Sequence, residues 1–107
     1  MNSDEPAVRL QGELTIYQVS ERYEELHLAL LRYAAEPSAG RPSSLTIDTS
    51  ELILVDSAGL QLLVQLAQHA RLSDIAVHWR KPSAALSQMI DFYDASEWFK
   101  APAKVTS

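Results

Sequence analysis

A single α/β domain with a parallel or mixed sheet is the fold class that the 107-residue sequence predicts. Three observations point to it. Short apolar runs with strand character alternate with longer runs whose apolar residues recur every three to four positions. The connections between them are long enough for crossovers rather than hairpins, in the order β-α-β-α-β-α. One domain is also what this length allows, with enough chain for a core without staples.

The elements follow in order. Ala7 to Leu14 alternates apolar and polar residues, with Val8, Leu10 and Leu14 in phase, and predicts a half-buried strand in which Gly12 marks a bulge or bend. Val19, Tyr23, Leu26, Leu30 and Tyr33 or Ala34 then fall on one helical face, with Thr15 or Ser20 as the candidate cap. Pro37 to Ser44 is a loop by composition. Leu45 to Asp48 reads as a second strand, Thr49-Ser50-Glu51 as a turn, and Leu52 to Val55 as further extended chain. Leu60, Leu62, Leu63, Leu66, Ala67 and Ala70 define a second helix fading near Leu72 to Asp74. Ile75 to Arg80 is a third strand; Pro82 and Ser83 break the chain and cap a third helix carrying Leu86, Met89, Ile90 and Tyr93. Trp98-Phe99 forms a short amphipathic end. The expected layout is a polar lead at 1–6, the domain at 7–100 and a flexible tail at 101–107.

Composition removes several function classes. The absence of cysteine excludes disulfides, thiolate metal sites and cysteine nucleophiles. A formal net charge of -5 argues against sequence-independent nucleic-acid binding, which needs a Lys/Arg surface, and suits a protein that meets other proteins. No apolar stretch approaches the roughly 18 residues of a spanning helix, and the acidic start is unlike a secretory signal. A small acidic cytoplasmic domain without membrane insertion is expected.

Asp56-Ser57-Ala58-Gly59-Leu60 stands where the strand-like run gives way to the second helix. Ser57 is expected at the helix N-terminus, near the positive end of the macrodipole. Its hydroxyl has three readings: a cap, a nucleophile or a phosphorylation site. A hydrolase elbow of the form Gly-x-Ser-x-Gly fits poorly, because Val55 stands in place of the first glycine. His69, on the same helix, lies about three turns from Ser57. His27, His69 and His78 lack paired metal-ligand spacing, and no glycine-rich phosphate loop is present, so no cofactor or metal is expected. Asp48 ends a strand without the acidic neighbours a phosphoryl-accepting aspartate requires. The aromatic residues Phe92, Tyr93, Trp98 and Phe99 either seal the end of the sheet or form a docking surface.

Gly12-Glu13-Leu14, Leu45 to Asp48, Val55 to Leu60 and Pro82 to Leu86, taken in order, resemble the STAS domain family, which includes bacterial anti-sigma factor antagonists. The likeness runs from about Ala7 to Phe99. It implies a four-stranded mixed β-sheet packed with about four α-helices. It also implies a non-enzymatic binding module that is switched by phosphorylation and regulates transcription. The acceptor would be Ser57, and its kinase would be the partner, a serine kinase that is itself the anti-sigma factor. Asp56, Ser57, Ala58, Gly59 and Leu60 would form the partner-binding turn. Ala58 replaces the second hydroxyl of many members and leaves Ser57 as the turn's acceptor, while Thr15 stands where antagonists tend to carry an acidic residue. Two further branches fit the resemblance: a STAS signalling protein of a chemotaxis system, and a constitutive small subunit of a phospholipid-transport ATPase complex.

Overall fold

The computed structural model describes residues 7–35 and 43–100. The expected lead, most of the Pro37 to Ser44 loop and the tail lie outside the described residues. Within them the chain runs β1 (Ala7–Leu14), α1 (Val19–Ala35), β2 (Ser43–Val55), α2 (Ser57–Leu72), β3 (Ile75–Arg80) and α3 (Ala84–Phe92), closing with a 3₁₀ turn at Ser96–Phe99. The sheet among the described residues has three strands in the order β1-β2-β3, all parallel. The expectation of four strands in a mixed sheet with about four helices is corrected accordingly to three parallel strands and three α-helices.

A second correction concerns β2. Leu45 to Asp48 and Leu52 to Val55 are halves of one 13-residue strand rather than separate elements. The register against β1 steps from Arg9↔Asp48 to Gln11↔Glu51, and again from Gly12↔Leu52 to Glu13↔Leu54. Each step inserts one extra residue on β2, as a β-bulge does. Apart from Thr46, which is also buried, buried side chains therefore recur at Leu45, Ile47 and Thr49, then at Leu52 and Val55. A spacing that changes from two to three imitates a turn in the sequence. Thr49-Ser50-Glu51 is instead bulged strand, pinned by Asp48, whose carboxylate accepts from the Ser50 amide at 2.9 Å and the Ser50 hydroxyl at 2.7 Å. Those hydrogen bonds hold the Asp48 carboxyl below the usual carboxylate range, helped by its register neighbours Arg9 and Arg80. Gly12 adopts φ +80 at the second step, the left-handed backbone that glycine adopts without steric cost.

β3 pairs with β2 only from Ser43 to Asp48. Beyond that point α3 packs beside the strand, and the Ser83 amide donates to the Thr49 carbonyl at 3.3 Å. Ser83 is also the cap that the sequence predicted, its hydroxyl accepting from the Leu86 amide at 3.1 Å. Leu26 and Leu30 of α1, Leu63 and Leu66 of α2, and Leu86 and Ile90 of α3 close one core with Leu10, Leu14, Leu45 and Ile47 of the sheet. Tyr23, placed on the apolar face of α1 by spacing, is partly exposed, and Tyr93 lies just past the end of α3. Trp98 and Phe99 do seal an end: Phe99 packs against Trp79 at 4.6 Å between ring centroids, and Arg71 lies 4.2 Å over the Trp98 ring. Phe92 and Tyr93 are exposed instead. Among the described residues no helix is long and apolar enough to cross a membrane.

Candidate functional site

The parallel pairing of β1 and β2 ends at Leu14↔Val55, so the loop after β1 and the turn after β2 emerge side by side. In open α/β sheets this is the end at which function gathers. The loop after β1 is built by Thr15 and Gln18. The Thr15 amide and hydroxyl both donate to Gln18 Oε1, at 2.9 and 2.6 Å, and the Tyr17 amide donates to Thr15 Oγ1 at 3.3 Å. The side chain of Gln18 thus reaches back three residues, as in a capping box, and delivers the chain into α1. The apolar side chains of Ile16 and Tyr17 are left outside, 60% and 88% exposed.

Across from this loop stands Asp56. Its amide donates to the Leu14 carbonyl at 3.3 Å, extending the β1–β2 ladder by one bond. Its carboxylate then works in two directions: Oδ1 accepts from the Gly59 amide at 2.9 Å, and Oδ2 accepts from the Ile16 amide at 3.0 Å. The first bond caps α2; the second fixes the loop after β1 against the start of that helix. Partial burial pushes the Asp56 carboxyl up. Hydrogen bonds from the Gly59 and Ile16 amides, with those of Ala58 and Asp56 itself, outweigh burial and leave it below the usual carboxylate range.

Gly59 has a different task. A Cβ at this position would overlap the Leu14 carbonyl oxygen and lie 2.9 Å from its carbon. The first turn of α2 therefore passes so close to β1 that only glycine fits. Leu60, next along, is buried in the core. Asp, Gly and Leu of the turn each have a structural reason to be there.

Ser57 has none of these. Sequence reading placed it as a candidate cap, but Asp56 holds that position, and Ser57 is the first residue of the helix. Its side chain is exposed, and its hydroxyl makes no hydrogen bond among the described residues. Two surface depressions meet at this turn. One, of about 590 Å³, runs between α1 and α2 and reaches Ala58. The other, of about 320 Å³, is lined by Ser57 and by Tyr93, Asp94 and Trp98 from the C-terminal segment.

A family model described as "Mlab, STAS domain" matches residues 1–100. The chain belongs to the STAS domain family. A solved structure of the anti-sigma factor antagonist SpoIIAA in its unphosphorylated form superimposes on this STAS domain with a TM-score of 0.61 at 18% identity, covering 97% of this chain and 85% of that one. At that identity the likeness is one of fold. No curated protein sequence matches the chain.

The structure brings the five turn residues of this STAS domain together at one end and sets Ile16 and Tyr17 beside them. Sequence reasoning did not place those two beside the turn. The available signal was an Ile-Tyr pair between Thr15 and Gln18, a Thr-x-x-Gln spacing that leaves the intervening side chains outside the capping box. Away from the turn, His27 and His69 approach across α1 and α2 with ring centroids 6.0 Å apart, and Tyr23 stacks on His27 at 5.5 Å. No third ligand joins them among the described residues.

Proposed function

We propose that this STAS domain is a phosphorylation-switched protein-binding module, with Ser57 as the acceptor for a partner serine kinase that acts as an anti-sigma factor. The observation that carries the reading is the division of labour in the turn. Asp56, Gly59 and Leu60 are each occupied by the fold, whereas the Ser57 hydroxyl is exposed at the head of a helix without a hydrogen-bond partner among the described residues. The likeness in fold to an anti-sigma factor antagonist described in an unphosphorylated form supports the same reading. A catalytic serine is disfavoured because His69 lies twelve residues along the same helix, about 18 Å at 1.5 Å per residue.

A phosphate on Ser57 adds about 1.5 to 2 negative charges. The backbone donors at the head of α2 already serve Asp56, so the new charge would project outward toward whatever covers the turn. A partner surface that fits a neutral hydroxyl would then bury an unpaired dianion, and affinity would fall by orders of magnitude without refolding.

The second reading is constitutive binding, as in a chemotaxis signalling protein or the small subunit of a phospholipid-transport ATPase complex. The matching family model is described as Mlab and its description names no anti-sigma factor, and this favours it. Pull-downs from native lysate with wild type, Ser57→Ala and Ser57→Asp decide between them. A kinase-like partner kept by wild type and Ser57→Ala but lost with Ser57→Asp supports the switch. Partners indifferent to residue 57 make this a fixed subunit.

A further inference from the structure

We propose that the groove between α1 and α2, beside Ser57, receives a basic amphipathic helix of the partner protein. The proposal rests on the reading of this end as a docking face and adds the partner's chemistry. Val19 and Tyr23 of α1 and Ala58 and Leu62 of α2 give the groove an apolar lining, and the exposed Ile16 stands at its head. On α2 the lining runs from Ala58 to Gln65, about 10 Å at 1.5 Å per residue. Two helical turns is the length over which a docked helix sets anchors at i, i+3 or i+4, and i+7.

Charge selects the occupant. The charged side chains lining the groove are the carboxylates Glu21 and Glu24, and among the described residues no Lys, Arg or His lines it. The nearby Arg22 is engaged by Glu25 at 3.1 Å, and neither Glu21 nor Glu24 forms an ion pair among the described residues. A helix with Lys or Arg flanking its apolar stripe would pair with both carboxylates as its anchors enter; an acidic helix would bring like charges together. The net charge of -5 steers the same class of partner toward the domain.

The test uses the full chain, isotopically labelled, titrated with a synthetic Leu/Lys amphipathic peptide of about 15 residues, long enough to form helix, and with its Leu/Glu counterpart. The expected result is that the Leu/Lys peptide shifts amide signals within 19–24 and 58–65 and that the Leu/Glu peptide does not bind. Glu21→Lys combined with Glu24→Lys should weaken the Leu/Lys peptide at least about tenfold. The Glu21→Gln, Glu24→Gln pair should weaken it less, while keeping the fold. Equal binding of the two peptides, shifts centred on the exposed Leu28 and Leu31 instead, or self-association blocked by Ile16→Ser would overturn the proposal, the last by making a second copy the occupant. Ser57→Asp in the same titration separates this inference from the switch. Binding that depends on Glu21 and Glu24 but ignores residue 57 keeps the groove and removes the switch. Native-partner binding that depends on residue 57 but ignores both glutamates does the reverse.

Discussion

Asp56 Oδ2 accepts a hydrogen bond from the Ile16 amide at 3.0 Å, across forty residues of sequence. Through this bond the residue that caps α2 also holds the loop that carries Ile16 and Tyr17. The neighbour of the proposed acceptor therefore fixes the geometry of the surface that a partner would meet.

Asp56→Ala removes both bonds at once. Loss of an N-cap costs about 1 kcal/mol, and freeing the loop should add to it. A fall in Tm of about 4 to 8 °C per kcal/mol is expected for a domain of this size. A thermal melt indistinguishable from wild type would show that the bridge does not stabilise the fold.

The same carboxylate sets a pH dependence. The folded-state pKa of Asp56 lies below its ordinary value, and so does that of Asp48, so both contribute stability that is complete above the usual carboxylate range of about 4. That contribution is lost as pH falls through the lowered folded values. Denaturant unfolding of wild type and Asp56→Ala should thus differ at neutral pH and converge as the pH falls below the usual carboxylate range. A gap that widened on acidification would contradict the sign.

Gly59→Ala should destabilise, although alanine ordinarily gains about 1 kcal/mol over glycine inside a helix. The new methyl group would press on the Leu14 carbonyl, which is backbone and has no rotamer to yield. A net loss of about 1 to 3 kcal/mol is expected, as for other overpacked sites. Chemical denaturation measures it directly, and a stabilised variant would mean that helix and strand are not in close approach.

Thr49→Val addresses the middle of β2. Thr49 is fully buried, and its hydroxyl has no hydrogen-bond partner among the described residues. Replacing the hydroxyl with a methyl of similar shape removes a desolvated polar group, so stability should hold or rise by about 1 kcal/mol. A marked loss would reveal a partner for that hydroxyl.

Ser57→Asp should leave the far-UV circular dichroism unchanged and Tm close to wild type. A carboxylate at the first position of α2 gains from the helix dipole about what it loses to the nearby Asp56. Unfolding of this variant would remove the basis for a switch that acts on binding alone.

Much of this was legible beforehand. Ser83 could be read as a cap because Pro82 precedes it and Leu86 and Ile90 follow at helical spacing. Gly12 could be read as a bend because it interrupts a strand pattern. The five-residue turn could be located because strand and helix periodicities change there. Residue type and spacing are local quantities, and they determined the elements, the single domain and the position of the turn.

What local pattern could not show depended on pairing between distant segments. Bulges in β2 arise only in register with β1, so one strand looked like two. Both Asp56 and Ser57 suit a helix start; the cap falls to Asp56 because its carboxylate also meets Ile16, forty residues away. The need for glycine at position 59 comes from the Leu14 carbonyl on another element. The tertiary structure alone decided that Ser57 is spared from the fold, because its freedom is defined by which neighbours are already satisfied.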